Sequence, residues 1–253
     1  MQVLVTGGQG TLGRLLAPRL QSAGHDVVVT SRKERTPPTG VELRVLDLSS
    51  GTIDEGILDG VDAIVHTASN AGRSKVVDVT GTQMLVGASE RAGVDHIVYI
   101  SIVGIDDHPF AYYRSKLEAE KMIEAGETPN TILRATQFHQ FLDRIFGSFG
   151  PIIPVFNGFE WQVVDAGLVA DRLVELVDAG PKGRVVDIGG PRGEPMHDMA
   201  HSWKKAAGSA KPIMPVPVFG KSARAFRAKV HHTPNRLARS PTWDGYLAST
   251  YPG

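Results

Sequence analysis

A glycine-rich segment near the start of the chain constrains its fold more than any other feature. Residues 2–5 form a short apolar run, and leucines recur at helical spacing between positions 12 and 20. Gly7, Gly10 and Gly13 lie between these two patterns. In this arrangement Gly7 permits a tight turn, Gly10 lets a pyrophosphate approach the backbone, and Gly13 lets the helix pack closely on the strand. The segment therefore predicts a strand-turn-helix unit that binds a dinucleotide.

The start of the predicted helix supplies hydrogen-bond donors for the phosphates. The first N–H groups of a helix have no acceptor within it, and the helix dipole favours an anion there. Thr11 and Leu12 provide these N–H groups. A glycine-rich turn that binds nothing is the alternative, and its position directly after a strand argues against that reading.

Apolar, β-branched segments alternate with helical patterns through the first half of the chain. Six strands are predicted there, at residues 2–5, 27–30, 42–46, 61–65, 96–100 and 131–134. This alternation predicts an α/β fold, a Rossmann-type doubly wound parallel sheet. Residues 1–136 would form the nucleotide-binding core, and residues 137–253 a smaller substrate-side region interleaved with its last strand and helices. The remaining predicted segments are helices at 76–91, 165–177 and 196–207 and a strand at 183–188.

The residues after the second strand discriminate between NAD and NADP. An acidic residue there usually holds the ribose hydroxyls of NAD, whereas arginine accommodates the 2′-phosphate of NADP. The segment Ser31-Arg32-Lys33-Glu34-Arg35 is basic, with Arg32 best placed to bind a phosphate bidentately and Ser31 beside it as a donor. Glu34, at about the spacing of an NAD-type carboxylate, is the counter-signal. The cluster predicts NADP(H) in preference to NAD(H).

Two further strand ends complete the predicted cofactor site. Asp47-Leu48 follows the third strand, where the carboxylate could either accept from an adenine amino group or cap a turn. Thr67-Ala68-Ser69 follows the fourth strand, and its small side chains let a cofactor approach the backbone. His66, at the end of that strand, is predicted to be a packed histidine rather than a base.

A tyrosine and a lysine one helical turn apart follow the fifth strand. Tyr112 and Lys116 share a helix face, and an ammonium beside a phenol favours the phenolate. This pairing suits proton transfer, and the same lysine could hydrogen-bond the nicotinamide ribose. Ser101, at the end of the fifth strand, could hold a substrate carbonyl or hydroxyl. The alternative is that the tyrosine packs and the lysine is a solvated cation.

These motifs resemble those of the short-chain dehydrogenase/reductase superfamily. The resemblance rests on residues 6–13, Asp47-Leu48, Ser101 and Tyr112-x-x-x-Lys116, and the glycine spacing is similar to the extended and atypical branches, including the NmrA-like NAD(P)-binding proteins. It implies that Tyr112 is the general acid or base. It also implies that Lys116 binds the ribose and tunes the tyrosine, and that Ser101 orients the substrate.

The chain departs from the extended branch at one position. Asp78-Val79-Thr80-Gly81-Thr82 is similar to the Asn-x-x-Gly-Thr of that branch, but Asp78 stands in the asparagine position. The adjacent Tyr113 leaves open which phenol faces the cofactor. Three functions remain: an NADPH-dependent oxidoreductase acting on a small organic carbonyl or conjugated acceptor, which we favour, a non-catalytic NADP-sensing regulator, and a nucleotide-sugar epimerase or dehydratase.

Aromatic and polar side chains after the sixth strand are candidates for substrate binding. Gln137, Phe138 and His139 follow the strand directly, and Phe156 and Trp161 lie further on. An aromatic wall with one imidazole and one amide suits a moderately apolar carbonyl, quinone-like or ring substrate. Each aromatic residue taken singly would more often be ordinary core.

Two histidine pairs are predicted to have no function. His197 and His201 are four residues apart and could bind a metal, but without a third ligand nearby no metal site is predicted. His231-His232 belongs to a basic tail that is predicted to be solvated.

Composition excludes several classes of protein. Lys plus Arg equals Asp plus Glu at 27 each, so no overall field favours nucleic acid or a membrane surface. The absence of cysteine excludes disulfides and thiolate chemistry. With no apolar run of membrane length and no signal-peptide pattern after Met1, the expectation is a cytoplasmic monomer or dimer that binds a small-molecule substrate.

Overall fold

Eleven strands and eight helices are present in the computed structural model over the residues that it describes, 1–34, 36 and 40–252. The strands are β1 (Gln2–Thr6), β2 (Asp26–Ser31), β3 (Glu42–Val45), β4 (Ala63–His66), β5 (His96–Ile102), β6 (Asn130–Ala135), β7 (Ile153–Phe156), β8 (Glu160–Trp161), β9 (Gly183–Arg184), β10 (Glu194–Pro195) and β11 (Ile213–Val216). The helices are α1 (Thr11–Ser22), α2 (Gly81–Ala92), α3 (Ala111–Ala125), α4 (His139–Ser148), α5 (Ala166–Asp178), α6 (Met196–Ala206), α7 (Lys221–Arg227) and α8 (Trp243–Thr250). Arg35 and residues 37–39 lie outside the described residues.

The chain divides into two compact units, each assembled from three separate stretches. Unit 1 comprises residues 1–101, 111–134 and 167–186. Unit 2 comprises residues 102–110, 135–166 and 187–253. Among the described residues, no helix combines the length and the apolar character that crossing a membrane requires.

Unit 1 is built on a parallel sheet of seven strands in the order β3-β2-β1-β4-β5-β6-β9. β1 pairs with β2 on one side and β4 on the other, so that Val3 lies opposite both Val27 and Ala63. The chain crosses over β1 between β3 and β4, which reverses the strand order at that point. In open α/β sheets, ligands bind outside the carboxyl ends of the strands where this reversal occurs. The predicted α/β Rossmann-type fold is confirmed.

A shared core fixes the positions of those strand ends. Leu4, Ile64, Ile97 and Ile132, one from each of four neighbouring strands, are at most 1% exposed and belong to one hydrophobic cluster. Each fully buried aliphatic side chain of this kind contributes about 1.5–3 kcal/mol. The strand ends therefore stand on a rigid base.

Helix α2 begins differently from the prediction. A continuous helix is predicted over 76–91, whereas the structure forms one π-helical turn, Lys75–Thr80, before α2. Two 3₁₀ turns, Glu55–Leu58 and Ala71–Arg73, flank β4. The π turn places Asp78 in a buried position, with consequences for the site described below.

Unit 2 has its own aromatic core, which contains Phe146, Trp203 and Trp243. β7 pairs in parallel with β11, and β8 pairs antiparallel with β10. The predicted strand at 183–188 is wrong in extent: β9 has two residues, and Ile188 forms an isolated bridge with Ala135 within unit 2.

The prediction of a solvated basic tail is wrong for one of its histidines. His231 is fully buried, and its Nε2 lies 2.9 Å from the carbonyl oxygen of Glu160. Desolvation by burial lowers the pKa of His231 to about 3, so the ring is neutral. The tail contributes to the core of unit 2 because a hydrogen bond through Nε2 and ring contacts, both with residues more than 60 positions away, hold the imidazole there.

Candidate functional site

The turn between β1 and α1 has no room for a side chain at Gly7 or at Gly13. A Cβ on Gly13 would lie 2.5 Å from the carbonyl oxygen of Gly7 and 2.6 Å from the Cα of Gly8. Gly7 has a φ of +67°, and a Cβ there would lie 2.8 Å from the Cα of Ala68. The turn closes with a hydrogen bond of 2.8 Å from Gly10 N–H to the Gly7 oxygen. Glycine is therefore required at Gly7 and Gly13 for backbone reasons.

A cavity of about 680 Å³ opens beside this turn in unit 1. Nine of the predicted cofactor residues line it: Gly7, Gly10, Ser31, Arg32, Asp47, Leu48, Thr67, Ala68 and Ser69. Thr11, Leu12 and Gly13 are not among the lining residues. Leu12 and Gly13 are buried at the start of α1, so only their backbone N–H groups could bind a ligand. Glu34, the NAD-type counter-signal, is exposed and does not line the cavity.

Asp47 caps a turn, one of its two predicted roles, and its contact with an adenine amino group stays a prediction. Its Oδ1 accepts from the backbone N–H of Ser49 at 2.9 Å and from the Ser49 hydroxyl at 2.7 Å, which caps the turn after β3. These hydrogen bonds, together with the charges of Arg32 and Arg73, lower the pKa of Asp47 below its usual value. The carboxylate is therefore ionised at neutral pH while it lines the cavity.

A buried network holds the end of β4. His66 Nε2 lies 3.0 Å from Thr82 Oγ1, which itself donates to the Asp78 carbonyl at 2.6 Å. His66 therefore donates through Nε2, and its Nδ1 accepts from Thr6 Oγ1 at 2.6 Å. Thr6 Oγ1 in turn accepts from the N–H groups of residues 67 and 68. Burial lowers the pKa of His66 to about 3, which agrees with the prediction of a packed histidine.

A second hydrogen-bonded chain joins the cavity to a phenol. Ser69 Oγ donates to Asp78 Oδ1 at 2.5 Å and lies 2.8 Å from the Tyr112 hydroxyl. Since a serine hydroxyl has one proton, Tyr112 is the donor to Ser69. Asp78 Oδ2 also accepts from the N–H of Asn70 at 3.1 Å. Burial first, and then the charge of Asp78, raise the pKa of Tyr112 to about 12. Tyr113 is instead 4% exposed and belongs to the core.

Lys116 makes contacts that the sequence did not predict. Its side chain is buried, its Nζ donates to the carbonyl oxygen of Ile100 at 2.9 Å, and it lies 4.1 Å from the ring centre of Tyr99. Burial lowers the pKa of Lys116 to about 8, against the opposing effects of Asp78 and Glu120. Lys116 is not among the residues lining the cavity, so its predicted contact with a ribose stays a prediction.

Ser101 is placed at the end of β5 as predicted, and it is 3% exposed. Its Oγ has no hydrogen-bond partner within residues 1–34, 36 and 40–252. A buried hydroxyl without a partner costs free energy, so this oxygen is ready to bond a group that enters beside it.

The predicted substrate residues lie in unit 2, where three of them pack against other aromatic side chains. His139 is fully buried, stacks on Tyr246 with ring centres 4.8 Å apart, and has its Nε2 3.2 Å from the Pro241 oxygen. Phe156 and Trp161 both pack against Phe159. The backbones of Gln137 and Phe138 pair with Val164. These contacts give His139, Phe156 and Trp161 packing roles in the core of unit 2.

Comparison with known proteins identifies the family. A model of NAD(P)H-binding proteins matches residues 7–144, more than half of the chain. The chain belongs to this NAD(P)H-binding family. The match covers the glycine turn, every residue that lines the cavity and the Tyr112–Lys116 helix, and it confirms the predicted resemblance at the level of an NAD(P)H-binding family.

Two relatives align with most of the chain. The photosystem II assembly factor Ycf39 of Trieres chinensis is 24% identical over 240 residues, 87% of the chain and 73% of the relative. The (4-alkanoyl-5-oxo-2,5-dihydrofuran-3-yl)methyl phosphate reductase of Streptomyces griseus is 26% identical over 199 residues, 75% of the chain and 68% of the relative. Two relatives from Mycobacterium tuberculosis each match 40% of the chain. One is 33% identical and is matched over 12% of its own length, and the other is 36% identical and is matched over 31% of its own length.

A solved structure shows the same fold. The dTDP-glucose 4,6-dehydratase of Bacillus anthracis, crystallised in complex with NAD, superposes with a TM-score of 0.74 at 17% identity, covering 100% of this chain and 96% of that one. Identity this low shows the fold alone.

Sequence reasoning missed one cation of the candidate site. Arg14, in the first turn of α1, lines the cavity. The first turn contains no acidic residue, although a helix N-terminus favours acidic side chains and disfavours cations. A cation at that position was the available signal, because a bound anion would offset the unfavourable charge at the helix N-terminus.

Proposed function

We propose that this NAD(P)H-binding protein is an NADPH-dependent reductase that delivers hydride to a small organic carbonyl or conjugated acceptor. One observation carries the proposal. Ser69 lines the cavity beside the glycine turn and is also hydrogen-bonded to the Tyr112 phenol, so a nucleotide-sized cavity and a proton donor meet at the end of β4. Reduction of a carbonyl needs both.

The cavity fits the phosphates of NADPH. The turn at Gly7 and Gly10 leaves space where a side chain would intrude, and the start of α1 directs N–H groups toward an anion. Arg14, Arg32 and Lys33 add three positive charges along the lining. In this proposal Arg32 binds the 2′-phosphate with Ser31 beside it, which accounts for a preference for NADPH. When bound, the cofactor supplies the hydride.

Tyr112 is the proton donor in this proposal. With a pKa of about 12 its phenol is neutral at pH 7 and can give its proton to a substrate oxygen as that oxygen gains charge. Ser69 then turns its hydroxyl from Asp78 toward the phenolate that remains. Ser101, whose buried Oγ has no partner among the described residues, holds the substrate oxygen. The reductase activity named for the Streptomyces griseus relative supports this class of reaction.

Calorimetric titration with NADPH and then NADH tests the cofactor assignment. We expect tighter binding of NADPH, and an Arg32→Gln variant that loses this preference while it still binds NADH. Arg172→Gln is the matched control, because Arg172 is exposed and pairs with Glu175 on α5. Equal affinities for both cofactors, or a preference that survives Arg32→Gln, would refute the assignment.

Loss of NADPH absorbance in a screen of carbonyl and conjugated acceptors tests the reaction. Tyr112→Phe should keep NADPH affinity and lose turnover, because the phenolic proton is removed and the ring remains. Lys116→Met should lower turnover less, since its Nζ is bound to Ile100. Full turnover by Tyr112→Phe would exclude the tyrosine as proton donor.

A second candidate function is an NADP-sensing regulator without turnover. The position of Lys116 favours it: its ammonium is bound to the Ile100 carbonyl, and burial with the charge of Asp78 outweighs the Ser69 hydrogen bond and raises the pKa of Tyr112 to about 12. The alignment with an assembly factor over 87% of the chain is compatible with it. A sensor should bind NADP⁺ and NADPH with different affinities and leave bound NADPH unoxidised by every acceptor.

A further inference from the structure

A pair of imidazoles in unit 2 has the geometry of a metal chelate. His197 and His201 lie one turn apart on α6, and their Nε2 atoms are 3.3 Å from each other. Two nitrogens bound at about 2.0–2.1 Å to a tetrahedral zinc ion lie about 3.3–3.4 Å apart. The observed separation therefore equals one edge of a tetrahedral zinc site. The side chains on the opposite face of α6, Met199 and Trp203, are buried and hold the helix in place.

The hydrogen bond between His197 and Asp198 leaves the Nε2 lone pair of His197 available to a metal ion. His197 Nδ1 lies 3.3 Å from Asp198 Oδ1. An ionised carboxylate can only accept, so the proton of a neutral His197 sits on Nδ1 and the Nε2 lone pair points to His201. A carboxylate behind a histidine is the arrangement that orients metal-binding imidazoles in known sites.

The pair is open to solvent on one side of a cavity. His197 and His201 line a cavity of about 470 Å³ together with Asn157, at the end of β7, and Lys204, one turn further along α6. Within residues 1–34, 36 and 40–252, no three His, Asp or Glu side chains converge on one point, so water has to complete the coordination. Such an open site binds more weakly than a closed one of four protein ligands.

From this geometry we propose that His197 and His201 chelate a divalent transition-metal ion, with zinc as the best fit, and that Asp198 positions His197. The ion replaces the hydrogen bond between the two rings, with the Nε2 proton of His201 moving to its Nδ1 nitrogen, and links the first two turns of α6. Lys204 opposes binding because its ammonium shares the cavity with a dication. Binding to the folded state alone raises the unfolding temperature as zinc concentration rises.

Titration of the tag-free full chain with ZnCl₂, followed by calorimetry, tests the proposal. The wild type should bind one equivalent with a saturable curve, and His197→Ala and His201→Ala should each abolish it. Asp198→Asn should weaken binding by about tenfold, the lower end of the usual effect of such second partners. Lys204→Met should strengthen it.

His25→Ala is the matched control, because His25 is also paired with a carboxylate, Asp178, and each variant removes one of nine histidines. It should bind zinc as the wild type does. Alanine is a good helix former, so unfolding temperatures without metal should be unchanged in the α6 variants. Co²⁺ should give the intense visible absorption of tetrahedral coordination in the wild type and in His25→Ala, and should not give it in His197→Ala or His201→Ala. Absence of saturable binding by the wild type, or binding that survives both alanine variants, overturns the proposal.

Discussion

Two glycines three residues apart should respond to the same substitution in different ways. In Gly13→Ala the new methyl group would lie 2.5 Å from the Gly7 oxygen, 2.6 Å from the Gly8 Cα and 2.9 Å from the Gly8 carbonyl carbon. All three are backbone atoms of a closed turn, so they cannot move aside singly. In Gly10→Ala the nearest atom is the Gly7 oxygen at 3.1 Å, and Gly10 lines the cavity.

The magnitudes follow from packing. Overpacking typically costs about 1–3 kcal/mol, and the contacts of Gly13 favour the upper end. Alanine recovers about 1 kcal/mol of helix propensity, which leaves a net loss of about 2 kcal/mol for Gly13→Ala. For a chain of this size that loss lowers the unfolding temperature by about 4–8 °C. Gly10 has φ −76° and ψ 175°, which alanine adopts freely, so its stability cost stays below about 1 kcal/mol.

Thermal unfolding and NADPH titration of both variants separate the two effects. We expect Gly13→Ala to lose stability, and NADPH affinity with it, because the turn has to open. Gly10→Ala should keep nearly its full unfolding temperature and lose NADPH affinity, because its methyl group enters the space left for a pyrophosphate. An unchanged unfolding temperature for Gly13→Ala, or wild-type NADPH affinity for Gly10→Ala, would refute the account of the turn.

Three further variants probe buried charges. Glu120→Gln should lower the free energy of unfolding by about 3–5 kcal/mol in denaturant titrations, because Arg134 then keeps its charge in the core without the carboxylate that it contacts through two nitrogens. His66 has a pKa of about 3 in the folded state and near 6.5 in the unfolded state, so its contribution to stability is complete above pH 6.5 and declines below it. Acidification from pH 7.5 to 5.5 should therefore lower the free energy of unfolding by about 1.4 kcal/mol, a loss that a His66→Gln variant should not show. Asp78→Asn should lower the pKa of Tyr112, because burial still raises that pKa but the carboxylate charge no longer does. The shift is measured by tyrosinate absorbance during a pH titration, after the absorbance of the same protein carrying Tyr112→Phe is subtracted.

The fold was predictable from local pattern. β-branched runs, glycine punctuation and their alternation with helical spacing identified the first six strands, because each signal lies within a few residues. The start of α4 shows the limit of that method. Phe138 occupies its N-cap position without any side-chain hydrogen bond, so the usual serine, threonine or aspartate signal is missing.

The sequence predicted which strand ends contribute to the candidate site, but it did not predict which side chains contact one another there. Helical spacing placed Tyr112 and Lys116 on one face, yet it could not say that the ammonium binds Ile100 and the phenol binds Ser69. These partners are 16 and 43 residues away and depend on packing. Asp78 reaches Ser69 because a π turn, rather than an α turn, precedes α2. Such turns have no sequence signature and occur often at functional sites.

The interleaving of the two units sets the order in which this protein can be completed during synthesis. Unit 1 needs residues up to 186 before its last strand, β9, can join the sheet. Unit 2 waits longer, because Trp243 packs in its core and donates to the Met199 carbonyl from a helix near the end of the chain. Neither unit is a continuous segment, so neither can be obtained by cutting the chain once. The nucleotide-binding sheet therefore finishes first, and a nascent chain can gain stability from its cofactor before the rest has folded.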